Sequence, residues 1–186
     1  MTRLCLIRHG QTDWNLEGRY QGQTDVPLNA TGLAQALELV EELKDQPFAA
    51  VYASNLQRAM ETANILAEPF HLPVTIEPRL VEISQGEWEG KLFTDIKQRY
   101  PWLSEKLASD AENLRPPGGE TVGEVSQRVY AALDDLAQLY PNQKVLVVSH
   151  GIVMATVVCK VNGIPLGHAY QVLPENSQPI WVEWGS

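Results

Sequence analysis

Two histidines in this sequence share one setting: each closes an apolar run and is followed at once by glycine. The first stands in Leu6-Ile7-Arg8-His9-Gly10, the second in Val147-Val148-Ser149-His150-Gly151. A third apolar run ends at Tyr52-Ala53-Ser54, and the helical pattern behind it carries Arg58 in its first turn. If these runs are parallel strands, their carboxyl ends open on one crevice, where open α/β sheets bind ligands. The glycines permit tight turns and close approach of backbone amides to a ligand. Arginine suits paired phosphate oxygens through its planar fork, and a helix start favours an anion. Two arginines and two histidines at strand ends therefore describe a site for a small dianion. A neutral imidazole among such cations can act as a nucleophile, because the cations disfavour its protonation and stabilise charge on a group in transfer. His71 and His168 lack this setting and are expected at the surface or in packing.

The elements that must position these residues are legible in outline. Residues 4–7 and 144–148 are wholly apolar or nearly so, as expected of strands covered on both faces. Residues 48–53 and 74–76 read as two further strands, and 181–184 alternates like a terminal edge strand. Thr31-Gly32 opens a helical pattern with Leu33, Ala36, Leu37, Val40 and Leu43 as its apolar set. Helices are also predicted over 56–68, over 120–140 (with Val122, Val125, Val129, Ala132, Leu133, Leu136 and Leu139 near one face) and from about Val153. Between Phe93 and Pro117 the pattern suggests helical pieces interrupted by Pro101. Strands alternating with helices predict a three-layer α/β/α architecture with a mainly parallel sheet, in one domain spanning 1–186.

Composition narrows the partners. With 186 residues, 44% of them hydrophobic, the chain can bury one substantial core. A net charge of −9 argues against nucleic acid and anionic membrane as partners, since both need a broad basic face. An anionic substrate must then be drawn in by a local cluster of cations. Cys5 and Cys159 each sit in an apolar run and read as core thiols, with no zinc or disulfide spacing. No signal peptide, membrane span or cofactor loop is visible, which points to a cytoplasmic protein without a cofactor.

The segment Leu6-Ile7-Arg8-His9-Gly10-Gln11-Thr12, followed by Trp14-Asn15, resembles the signature of the histidine phosphatase (phosphoglycerate mutase-like) superfamily. The resemblance continues through Arg19-Tyr20-Gln21-Gly22, Ser54-Asn55-Leu56-Gln57-Arg58-Ala59, Leu80-Val81-Glu82, Gly86-Glu87-Trp88-Glu89-Gly90, Pro117-Gly118-Gly119-Glu120 and Val148-Ser149-His150-Gly151. Ordered blocks over nearly the whole chain are far more specific than one Arg-His-Gly tripeptide. The resemblance implies that His9 is the phosphorylated nucleophile and that Arg8, Arg58 and His150 form the phosphate pocket. It implies that Asn15 and Gln21 help to hold the phosphate, with Gly22 and Gly151 beside it, and that Glu82 is the general acid. Residues alone would not single out Glu82 among 23 acidic positions; its neighbours Glu87 and Glu89 read as solvated. Asn55, Glu61 and Val81 depart from the usual family residues, which bears on substrate detail and removes no catalytic group.

Within that family the phosphatase branch, similar to α-ribazole phosphatases and broad-specificity phosphatases, fits better than the mutases. Mutases carry a longer basic insertion after the acid. Here segment 91–117 is short, and Lys91, Lys97, Arg99, Lys106 and Arg115 are mixed with acids. That segment is expected to act as a lid, with Tyr100, Trp102, Leu103 and Leu107 either shaping a specificity pocket or packing the lid down. The implied substrate is a small phosphorylated metabolite. Phosphoglycerate mutase-type transfer remains the alternative. A zinc site from His9, His150 and Glu82 is chemically acceptable, but two arginines beside the histidines argue for no metal. A homodimer through the edge strand at 181–184 is a further expectation.

Overall fold

The structure, a computed structural model, describes residues 1–185. Its sheet has five strands in the order β3-β2-β4-β1-β5: β1 (Thr2–Arg8), β2 (Phe48–Ala53), β3 (Val74–Ile76), β4 (Lys144–Ser149) and β5 (Pro179–Trp184). All pairings are parallel except β5 on β1. Alternation explains why β1 and β4 read as unbroken apolar runs. Leu4, Leu6, Val145 and Val147 face one layer, Cys5, Ile7, Leu146 and Val148 the other, and all are buried.

Helices cover both faces, as expected. On one side lie α2 (Ala30–Leu43) and α3 (Gln57–Ala67); on the other α6 (Val122–Leu139) and α7 (Gly151–Asn162). α6 starts at a capping box in which Thr121 and Glu124 each satisfy the other's backbone N–H. α2 begins at Ala30, because Asn29 caps it through Gly32 N. Its buried stripe is Gly32, Ala36, Leu39 and Leu43, while Leu33 and Leu37, both assigned to the core from sequence, are exposed, as is Leu139 on α6. A one-residue slip in the chosen face accounts for this, since a leucine-rich helix offers two overlapping 3.6-residue stripes.

The remaining helices, α1 (Asp13–Glu17), α4 (Phe93–Arg99) and α5 (Leu103–Ser109), lie beyond the carboxyl edge of the sheet. Pro101 separates α4 from α5, and both settle on a small core of Tyr20, Trp88, Ile96 and Leu103. Among the described residues no helix is long and apolar enough to cross a membrane. Cys5 and Cys159 are buried free thiols, and burial pushes the Cys5 thiol up to about 12.

Candidate active site

Strand register brings the two histidines together. β1 and β4 pair with Ile7 opposite Val148 and Arg8 opposite Ser149, so His9 and His150 emerge side by side. Their rings are 5.2 Å apart and both are buried. β2 ends beside them, where Ser54 N donates to Val148 O, and the turn after Ser54 starts α3 with Arg58 pointing back under the histidines.

Hydrogen bonds define the state of His9. Its Nδ1 lies 2.7 Å from the Gly10 carbonyl, an atom that can only accept, so the proton sits on Nδ1. The lone pair is left on Nε2, which faces Arg58 Nε at 3.3 Å. The other guanidinium nitrogens of Arg58 donate to Thr24 O and Gly22 O, each at 2.8 Å. His150 Nε2 meets Ser54 Oγ at 2.8 Å, while its Nδ1 has no protein partner. Arg8 donates from one terminal nitrogen to Pro174 O at 2.8 Å, and its buried Nε is also unpartnered. Burial first, then the charges of Arg58 and Arg8, hold both imidazoles well below 6.5, so they are neutral near pH 7. Burial lowers Arg58 to about 10, where it stays charged.

Next to the histidines, which are buried and do not line it, opens a cleft of about 390 Å3 lined by Arg8, Asn15, Gln21, Gly22, Glu82 and Gly151, among others. Asn15 Oδ1 accepts from Thr12 N at 3.0 Å, and Gln21 Oε1 lies 3.0 Å from the Thr12 hydroxyl. With both amide oxygens turned onto Thr12, their amide nitrogens are the groups that remain for an anion. Gly22 acts differently: at φ 52° it aims its carbonyl at Arg58. Glu82 faces the cleft from the loop after Leu80, its carboxylate accepting from Ile83 N at 2.9 Å and from Ile152 N, in the first turn of α7, at 3.3 Å.

Several expectations are corrected by position. The glycine after His9 is required by packing, since a Cβ there would sit 2.4 Å from Gly32 O at the start of α2. Glu89 is not solvated: it accepts from Gln23 N, Gln85 N and the Thr24 hydroxyl, whereas Glu87 is exposed. Of the lid residues considered for specificity, Leu107 lines the cleft, but Leu103 and Tyr100 pack onto Trp88 and Ile96, and Trp102 is exposed. Sequence reasoning missed Phe93, Lys97, Gln85, Tyr170 and Leu173 in the cleft walls, and also Asn176, which donates to His9 O at 2.7 Å. None carries a signal separable from ordinary loop residues. His71 is exposed and His168 is tied to Ala108 O, both away from the histidine pair. Among the described residues no three His, Cys, Asp or Glu side chains converge to hold a metal ion.

This arrangement gathers two neutral imidazoles and the Arg58 guanidinium, all buried, next to a cleft that Arg8 and the Glu82 carboxylate line, with nitrogen donors enough for a phosphate. The chain matches the histidine phosphatase superfamily (branch 1) over residues 4–186. It belongs to that superfamily and is a phosphoric monoester hydrolase by class. It is 39% identical to the uncharacterized phosphatase PhoE of Bacillus subtilis over 88% of this chain and 79% of that protein. It is 35% identical to phosphoserine phosphatase 1 of Hydrogenobacter thermophilus (89% and 79% covered), and 34% identical to a probable phosphoglycerate mutase, GpmB, of Salmonella choleraesuis (89% and 77%). Among solved structures, Bacillus stearothermophilus YhfR superposes with a TM-score of 0.90 at 33% identity, covering 98% of this chain and 91% of that one. A mycobacterial glucosyl-3-phosphoglycerate phosphatase gives 0.89 at 30% (97% and 92%), and the Shigella flexneri α-ribazole phosphatase 0.86 at 31% (98% and 91%).

Proposed function

We propose that this chain hydrolyses a small phosphomonoester without a metal, through a phosphohistidine on His9. The observation that carries the reading is the Nδ1 bond of His9 to Gly10 O, which leaves Nε2 unprotonated and facing Arg58. In the first step Nε2 attacks phosphorus as the ester P–O bond breaks, and the Glu82 carboxyl gives its proton to the leaving oxygen. In the second, Glu82 carboxylate takes a proton from water, the hydroxide attacks phosphorus, and the P–N bond breaks to release inorganic phosphate. Arg8, Arg58, His150 Nδ1 and the amides of Asn15 and Gln21 hold the phosphoryl oxygens throughout. The phosphatase reading is favoured over mutase transfer because a mutase must grip two anionic groups. Of the basic residues in segment 91–117, Lys97 alone lines the cleft, so that segment serves better as a lid over one phosphate and a partly apolar leaving group between Phe93, Leu107, Ile152 and Leu173.

The test is phosphate release in excess EDTA from phosphoserine, α-ribazole 5′-phosphate, glucosyl-3-phosphoglycerate, 3-phosphoglycerate and an aryl phosphate, with acid-labile label trapped on His9. Turnover that disappears in His9→Ala is expected. Isomerisation of phosphoglycerate with a bisphosphoglycerate primer, and no phosphate release, would replace this reading by the mutase one.

A further inference from the structure

Glu82 stands on a loop, yet an acid that serves a leaving oxygen has to be placed as firmly as the phosphate donors opposite it. One side chain from another layer makes most of the contacts that hold the backbone around it. Arg128, in the middle of α6, donates from Nη1 to Arg79 O at 2.7 Å and Val81 O at 2.6 Å, and from Nη2 to Glu82 O at 3.2 Å. Its Nε and Nη2 also reach the two carboxylate oxygens of Glu120, at 3.0 and 3.1 Å. Glu120 in turn accepts from Ser84 N at 2.8 Å, and Gln23 Nε2 adds a second donor to Glu82 O at 3.0 Å. Carbonyl clamps at residues 79, 81 and 82 and an amide clamp at Ser84 thus hold the backbone up to and beyond the acid. Their anchor is a bidentate ion pair whose side chains are only 18% and 25% exposed. The charge-assisted bonds that the guanidinium sends on to the backbone carbonyls are what reach the loop.

We propose that Arg128, locked by Glu120, is the positioning residue for Glu82, fixing the height and angle at which the acid meets the leaving oxygen. This rests on the assignment of Glu82 as the acid made above. Lysine cannot replace the arginine, because one ammonium cannot serve three carbonyls and a carboxylate at once.

Leaving-group dependence tests the proposal, since an alkoxide needs the proton of Glu82 and a nitrophenolate hardly does. The quantity to compare is kcat/KM, which reports phosphoryl transfer to His9 and not its later hydrolysis. For Glu82→Gln the expected loss is about 100-fold or more with an alkyl phosphate and much smaller with p-nitrophenyl phosphate. Arg128→Lys and Glu120→Gln should show the same split at reduced size, about 10-fold against less than about 2-fold. Arg115→Ala, which removes an exposed ion pair near the same loop, should leave both rates unchanged. Equal losses on both substrates in Arg128→Lys would mean a merely structural role, and no loss would mean none; either overturns the proposal. If Arg128→Lys does not fold, the ratio in Glu120→Gln decides. A Glu82→Gln variant without the split removes the acid assignment itself, whereas a split there and none in the Arg128 and Glu120 variants removes this proposal alone.

Discussion

Arg58 Nε lies 3.3 Å from Nε2 of His9, and the guanidinium can rotate neither way, because its two terminal nitrogens are each held at 2.8 Å by a carbonyl of the 22–24 loop. One cation thus touches the candidate nucleophile and stands ready for the phosphoryl group that nucleophile receives. Such preorganised charge acts on the transition state without reorganisation cost.

Arg58→Lys should therefore lower kcat/KM by about 100- to 1,000-fold, the range for loss of one preorganised donor. A lysine keeps the charge but cannot bridge Gly22 O, Thr24 O and His9 together. Steady-state kinetics on any accepted phosphomonoester decides it, and a loss below about threefold would show that charge alone suffices.

Glu89 should matter although, as an acceptor, it offers nothing to the phosphate itself. Its Oε2 accepts from the Thr24 hydroxyl at 2.7 Å and its Oε1 from Gln23 N at 3.0 Å, so it pins the loop that aims Arg58. Glu89→Ala is expected to weaken inhibition by vanadate, which adopts the trigonal-bipyramidal geometry of the transfer, about 10-fold, and to weaken inhibition by phosphate less. Glu87→Ala, altering an exposed side chain two residues away, should change neither. Equal weakening of both inhibitors in Glu89→Ala would remove the link to Arg58.

How far this site could be read in advance follows from its construction. Arg8, His9 and His150 stand at strand ends, and a short wholly apolar run that stops at a His-Gly pair is legible as a strand buried on both faces; once β1 and β4 are placed side by side, register alone makes the histidines neighbours. Arg58 was legible for a similar reason, being fixed to a helix start. Glu82 was not. It lies on a loop after a single 3-10 turn, and what places it is Arg128, 46 residues away on α6, a contact with no periodic trace in the chain. Only the family resemblance singled it out. Glu89 and Gly10 failed differently: the residue types were noticed, but their partners, Thr24 and Gly32, became visible only with the packing of the loop and α2.

Both histidines should make the fold sensitive to acid. Their folded pKa values are depressed, by burial first, so above about pH 6.5 neither folded nor unfolded chains carry the protons and they contribute nothing. Below that, the unfolded chain binds protons that the folded one refuses, and stability falls as pH falls. Each histidine contributes about 1.4 kcal/mol per pH unit until its folded pKa is reached. Urea midpoints at pH 7.5 and 5.0 would show the drop, and His150→Asn should reduce it if that variant folds; an unchanged slope in both His150→Asn and His9→Asn would contradict the assignment.

Gly10→Ala separates the two explanations for a glycine beside the candidate nucleophile. If the glycine served only to let a ligand approach, alanine would weaken phosphate binding and leave the fold intact. The position argues otherwise. A Cβ at residue 10 would stand 2.4 Å from Gly32 O and 2.9 Å from its Cα, backbone atoms at the capped start of α2 that have no side-chain freedom to yield. Relief has to come from moving α2 away from the end of β1, which also disturbs the Gly10 carbonyl that fixes the proton on His9 Nδ1. Overpacking of this kind costs about 1–3 kcal/mol. For a chain of this length that is a fall in Tm of about 2–12 °C. The expected result is a lower Tm together with a kcat loss larger than any rise in KM, because a misplaced imidazole impairs attack more than binding. An unchanged Tm with a raised KM would instead return the glycine to the ligand.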